Sequence, residues 1–130
     1  MKPRVVNGAE FPAAIAEGIV IVDFWAAWCL KCNAFAAVAT RVAAANPEVA
    51  FITIDTDREP GLSEALGVHA MPTLMAFRDG VMLFREAGLF EDEAIQTLIT
   101  KIADVDMDAI RARLEEQAAG EESIGADASA

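Results

Sequence analysis

The chain has 130 residues, 55% of them hydrophobic, and its 21 acidic residues against 10 basic ones give a net charge of −11. This length suits one compact domain with a modest tail, and the apolar content is high enough for a core that needs no disulfide staples. Because an acidic surface repels phosphate groups, we expect neither nucleic acid nor a membrane surface as a partner. No run of residues approaches the roughly 18 apolar positions that a membrane span requires.

The first half of the chain predicts two strands and two helices. Residues 4–6 predict a short strand, and residues 11–17 predict a helix that stops at Gly18. Residues 19–24 are a nearly continuous apolar, β-branched run, which is typical of a central strand buried on both faces. Residues 29–45 carry apolar side chains at helical spacing, and Asn46-Pro47 ends that helix.

The second half predicts a strand at residues 49–54, a short helix at 61–66 and a hairpin of strands at 74–77 and 81–85. The turn of the hairpin contains Asp79-Gly80, a pair that favours the positive φ angles such turns need. A helix follows at residues 91–102. Three strand–helix alternations before a hairpin and a helix predict an α/β fold with a central mixed β-sheet flanked by helices.

The C-terminal residues predict an extra helix and an acidic tail. Met107, Ile110 and Leu114 share one helical face, which we expect to cap an exposed part of the fold; a partner-binding helix is the alternative. From residue 120 onward hydrophobic residues are scarce, which favours disorder. We therefore divide the chain into a domain at residues 1–104, a helical extension at 105–119 and a tail at 120–130.

The two cysteines, Cys29 and Cys32, lie where the strand at 19–24 leads into the helix at 29–45. The positive end of a helix dipole and its free backbone N–H groups lower the pKa of a thiol. Cys29 is therefore expected to attack a substrate disulfide, and Cys32 to resolve the mixed disulfide. An inert buried pair is the alternative. A structural zinc site needs four ligands, and His69 is the one further soft ligand, so we expect no metal.

Four segments resemble the motifs of the thioredoxin family in order and spacing: residues 22–32, residues 71–73, residues 77–80 and Gly88. The resemblance covers roughly residues 5–103. It implies the thioredoxin fold, the reduction of protein disulfides by dithiol exchange without a bound cofactor, and a cis proline at Pro72. It also implies an apolar surface on which substrates dock, formed by Trp28, Met71, Pro72 and Gly88.

The partners implied by the resemblance are disulfide-containing client proteins and a thioredoxin reductase, with the protein itself a monomer. The first residues lack the apolar stretch of a secretory signal, and one close cysteine pair is no disulfide framework. We therefore expect a cytoplasmic location.

Asp23 interrupts the strand at 19–24. A buried carboxylate without a partner is costly, so its pKa should be raised. The resemblance implies that Asp23 accepts and returns the proton of Cys32; the alternative is an aspartate that bonds backbone groups at the strand end. Many family members place a lysine beside this aspartate, where this chain has Phe51, so Asp23 should be harder to ionise.

Leu30 and Lys31 stand between the cysteines, where typical thioredoxins have Gly-Pro. A cation beside the sulfurs should stabilise the thiolate and make the disulfide more oxidising. Leu30 adds an exposed apolar group that narrows the choice of clients. An oxidising, isomerase-like or client-specific protein is therefore the alternative to a general reductant. A binding or chaperone module, in which the dithiol is incidental, is a third hypothesis.

Overall fold

The computed structural model describes residues 3–129, with side chains described through Ala119. Five strands form one sheet in this part of the chain: β1 (Arg4–Val5), β2 (Ile19–Trp25), β3 (Ala50–Asp55), β4 (Thr73–Arg78) and β5 (Val81–Ala87). Their order across the sheet is β1-β3-β2-β4-β5. β3 pairs in parallel with β1 and β2, whereas β4 pairs antiparallel with β2 and β5. The predicted mixed sheet is confirmed.

The helices are α1 (Phe11–Ala14), α2 (Leu30–Ala45), α3 (Pro60–Ala65), α4 (Asp92–Ala103) and α5 (Met107–Ser129). Alternate residues of β2 point to opposite faces of the sheet and enter two separate apolar clusters. Ile21 packs with Phe35 of α2 and Ile95 of α4, whereas Val22 packs with Phe11 of α1 on the other face. This two-sided burial explains why the β2 sequence is an unbroken apolar run apart from Asp23.

The hairpin turn is the one that its residues predict. Asp79 and Gly80 have φ angles of 50° and 84°, and the backbone N–H of Gly18 donates to Oδ1 of Asp79 at 2.9 Å. That bond holds the turn against the loop that precedes β2. The helix predicted at residues 11–17 ends at Ala14, because the chain must turn towards Gly18, which has a positive φ of 69°.

The C-terminal helix α5 is anchored at its beginning. One guanidinium nitrogen of Arg78 donates to the carbonyls of Ile102, Ala103 and Val105 at 2.9–3.1 Å, which fixes the connection between α4 and α5. Met107 is buried, but Leu114 is exposed. The predicted apolar face of α5 therefore packs against the rest of the protein at the beginning of the helix and is exposed further along it.

The proposed divisions at residues 104 and 119 stay predictions. The backbone of α5 continues to Ser129, and the side chains from residue 120 onward lie outside the described residues. The predicted disorder of residues 120–130 therefore stays a prediction as well.

Candidate active site

The two cysteines lie where β2 delivers the chain to the N-terminus of α2. Cys29 has an extended backbone and is the N-cap of this 16-residue helix. Its Sγ accepts a hydrogen bond from the backbone N–H of Cys32 at 3.2 Å, and the two residues form a disulfide. A thiolate on Cys29 would occupy the same place and gain both this N–H donor and the positive end of the helix dipole. The geometry therefore favours ionisation of the first thiol.

Both sulfur-bearing residues are nearly covered, with Cys29 6% and Cys32 3% exposed. They form a small apolar cluster with Ala26, against which the half-buried Trp25 and Met71 pack. Trp25 thus lies beside the dithiol as a packing residue. Because these neighbours are apolar, they do not stabilise a negative charge on Cys29, and the N-terminus of α2 is the main feature that does.

Asp23 lies on the face of β2 that is covered by α2, and it is only 5% exposed. Its Oδ1 has no hydrogen-bond partner among the described residues. Burial raises the pKa of the Asp23 carboxyl to about 7. The raised pKa agrees with the expectation from the sequence. The alternative, a carboxylate whose oxygens are satisfied by backbone groups, does not fit this unbonded Oδ1.

Phe51 lies on β3, which pairs with the strand that carries Asp23. In the pairing of β2 with β3, Phe51 is opposite Ile21, and Thr53, two residues later, is opposite Asp23. Phe51 is buried. Phe51 and Asp23 line the same small closed space beneath α2. An aromatic ring here supplies no charge to offset the cost of ionising Asp23, and this agrees with burial as the cause of the raised pKa.

The loop before β4 brings the substrate-docking candidates to the dithiol. The Met71–Pro72 peptide bond is cis, as the resemblance implies, and the carbonyl of Pro72 accepts from the N–H of Gly88 at 2.9 Å. Pro72 is fully buried, whereas Met71 is half-buried and packs on the cysteine cluster. Three predicted docking residues, Met71, Pro72 and Gly88, are therefore neighbours. His69 lies exposed on the same loop.

The remaining docking and tuning candidates are on the surface. Trp28 is 67% exposed and Leu30 84% exposed, and Lys31 is exposed beside them. The indole N–H of Trp28 donates to Oδ1 of Asp57 across a long 3.5 Å contact. Trp28 and Leu30 are therefore large apolar side chains exposed within two positions of each other in the sequence, and both stay candidates for contact with a partner.

Sequence reasoning missed two residues of this region, Asp57 and Leu89. Leu89 is a large exposed hydrophobic residue that directly follows Gly88. The position of Leu89 next to Gly88, a predicted docking residue, is the sequence feature that could have indicated a docking role for Leu89. Nothing in the sequence indicated the contact of Asp57 with Trp28, since 29 positions separate them.

The described residues contain no group of three or more His, Cys, Asp or Glu side chains that could hold a metal ion. None of the described helices is long and apolar enough to cross a membrane. The chemistry that the arrangement supports is thiol–disulfide exchange, in which a stabilised thiolate attacks a disulfide and a neighbouring thiol displaces it.

Comparison with known proteins agrees with this chemistry. The sequence model of the thioredoxin family matches residues 2–112. The thioredoxin of Chlamydia muridarum is 37% identical over 98 residues, which cover 75% of this chain and 96% of that protein. The thioredoxin of Bacillus subtilis is 33% identical over 71% of this chain and 89% of its own length.

Solved structures give the same result. A mutant thioredoxin from Halobacterium salinarum NRC-1 superimposes with a TM-score of 0.74 at 30% identity, covering 80% of this chain and 93% of that one. Chloroplastic thioredoxin z gives a TM-score of 0.74 at 28% identity, with 81% and 97% covered. The chain belongs to the thioredoxin family, has the thioredoxin fold and is a thiol–disulfide oxidoreductase.

Proposed function

We propose that Cys29 is the nucleophile and Cys32 the resolving thiol in the reduction of protein disulfides. The Cys29 thiolate attacks one sulfur of a client disulfide, so that a mixed disulfide forms and one client thiolate leaves. Cys32 then attacks Sγ of Cys29, which releases the second client thiolate and leaves the Cys29–Cys32 disulfide. The client gains two electrons and the dithiol loses them. The observation that carries this assignment is the N-cap position of Cys29, whose sulfur receives the N–H of Cys32.

Asp23 is the proposed acceptor for the proton of Cys32. A carboxyl group with a pKa of about 7 can take up and release a proton near neutral pH, whereas an ordinary aspartate cannot. Asp23 and Cys32 both line one cleft that is open to solvent, so a water molecule could connect them.

Client proteins are proposed to dock on the surface formed by Trp28, Leu30, Met71, Pro72 and Gly88. An extended client segment would pair with the backbone of Met71, in the manner of an added strand. The exposed side chain of Leu30 supports a preference for clients with an apolar residue near the disulfide, because burying it on docking removes apolar surface from water.

The cysteine roles are tested by the rates at which the two thiols react. When the reduced protein is treated with limiting iodoacetamide at pH 7, Cys29 should be alkylated at least about tenfold faster than Cys32, because the thiolate is the reacting form. Peptide mass spectrometry of partly modified protein measures both rates. The Cys29→Ser variant provides the rate of Cys32 alone. Equal rates, or a faster Cys32, would overturn the assignment.

Lys31 is proposed to make the disulfide more oxidising. This effect supports the second candidate function, that of an oxidising or client-specific protein. Lys31→Gln should lower the reduction potential, by about 30 mV or less because the side chain is exposed and screened. Titration against glutathione measures the potential, and Lys101→Gln on α4 is the matched control. An unchanged or higher potential in Lys31→Gln contradicts the proposal. So does a wild-type value at or below that of thioredoxin, about −270 mV.

Thioredoxins act on disulfide substrates and are generally reduced by thioredoxin reductase. For this chain we propose such a reductase as electron donor, a monomeric state and a cytoplasmic location. The thiol chemistry supports the location, since a dithiol that works as a reductant needs a reducing compartment.

A further inference from the structure

A cleft lies beside Cys32 and is lined by residues of β2, β3 and α2. It has a volume of about 260 Å³ and opens to solvent. Much of its wall is apolar and comes from Pro3, Trp25, Ala36 and Ala39. The volume is close to the lower end of the range for small-molecule sites, which are mostly apolar clefts with a few polar groups.

Two ionisable residues, Asp23 and Cys32, belong to the described lining, and Cys32 is in the disulfide. The described lining contains no lysine, arginine or histidine. Asp23 is more than nine-tenths buried, and its Oδ1 has no partner among the described residues. The cleft is therefore mostly apolar, with the neutral polar side chains of Asn33, Thr40 and Thr53 at its wall, one carboxylate, and no described cation to pair with that carboxylate.

The energetics of this wall favour a positively charged ligand. A buried ion pair costs the removal of both charges from water, and here folding has already removed the Asp23 carboxyl from water. An arriving ammonium ion loses its own hydration but gains an attraction to a carboxylate that little water screens. A neutral ligand of the same shape can still make apolar contacts and donate a hydrogen bond, but it gains no attraction between opposite charges.

We propose that this cleft binds a small organic ammonium ion that carries a compact apolar group. The ammonium group donates hydrogen bonds to the carboxylate of Asp23. The apolar group lies against Trp25 and the alanines of α2. Binding does not require the dithiol chemistry, because every group that it uses is present in the oxidised protein.

The test compares two probes of similar shape, benzylammonium and benzyl alcohol, on the oxidised full chain at pH 8, which is above the pKa of about 7 of the Asp23 carboxyl. Amide chemical shifts in nitrogen–proton NMR spectra give both affinities and the place of binding. Benzylammonium should bind at least about tenfold more tightly than the alcohol, as expected for a charge-assisted hydrogen bond. The shifted amides should include those of Cys32, Ala36 and Thr53.

Variants separate the carboxylate from the apolar wall. Asp23→Asn should bring the ratio of the two affinities close to one, whereas Glu116→Gln, which neutralises an exposed carboxylate on α5, should leave the ratio unchanged. Ala36→Leu should fill the cleft and weaken both probes. Equal affinities in the wild type, an unchanged ratio in Asp23→Asn, or shifts confined to Trp28 and Leu30 would each overturn the proposal.

Discussion

Replacing Cys29 by serine should reduce the rate of insulin reduction by dithiothreitol to the uncatalysed background. Serine has nearly the size of cysteine but provides no thiolate at neutral pH, so neither the mixed disulfide nor the internal disulfide can form. The wild type should accelerate the appearance of insulin turbidity. Leu114→Ala is a suitable control, since it alters an exposed apolar residue on α5 and leaves the dithiol intact.

Two outcomes of the insulin assay would contradict this account. Catalysis by Cys29→Ser above background would mean that Cys32 alone, or another group, carries the reaction. An inactive wild type that still binds client proteins would favour the binding or chaperone hypothesis. In that case the dithiol would be incidental to function.

Replacing Asp23 by asparagine should stabilise the folded protein at alkaline pH and not at acidic pH. The pKa of Asp23 rises from 3.8 to about 7 on folding. Between these values the unfolded chain has lost the proton that the folded protein keeps, so this group lowers the free energy of unfolding by about 1.4 kcal/mol per pH unit. The accumulated cost above pH 7 is on the order of 4 kcal/mol. It is absent below pH 3.8.

Asparagine removes that cost but buries an amide with few partners, a loss of about 1–3 kcal/mol. The net gain at pH 8 should therefore be about 1–3 kcal/mol, and at pH 4 it should vanish or reverse. Urea unfolding of the oxidised protein at several pH values measures the difference. Asp57→Asn, at an exposed site, should change stability by less than about 0.5 kcal/mol at any pH. A gain that does not depend on pH would contradict the assigned burial of the charge.

The sheet was predictable because its sequence signals are local. The continuous apolar run of β2 predicts a strand that is buried on both faces of the sheet. Asp79-Gly80 readily adopts the positive φ angles that a tight hairpin turn needs. The end of α1 was not predictable to the residue. Whether residues 15–17 continue the helix depends on the bond between Gly18 and Asp79, two residues that are 61 positions apart.

The same distinction applies to the active site. Cys29 and Cys32 are one helical turn apart, and the strand that precedes them places both at the N-terminus of α2. The reaction type could therefore be inferred from a short segment of sequence. The raised pKa of Asp23 followed from one acid inside an apolar run. The cleft beside Asp23 depends on how distant elements pack, and no local pattern encodes it.

The most direct measurement is the capture of the reaction intermediate with Cys32→Ser. Without the resolving thiol, the attack of Cys29 on a client disulfide should stop at the mixed disulfide. Mass spectrometry of the reduced variant after incubation with insulin should show a covalent adduct, with the linkage mapped to Cys29. Dithiothreitol should reverse it. Failure of Cys32→Ser to form any adduct, while the wild type reduces insulin, would contradict the assignment of Cys29 as the nucleophile.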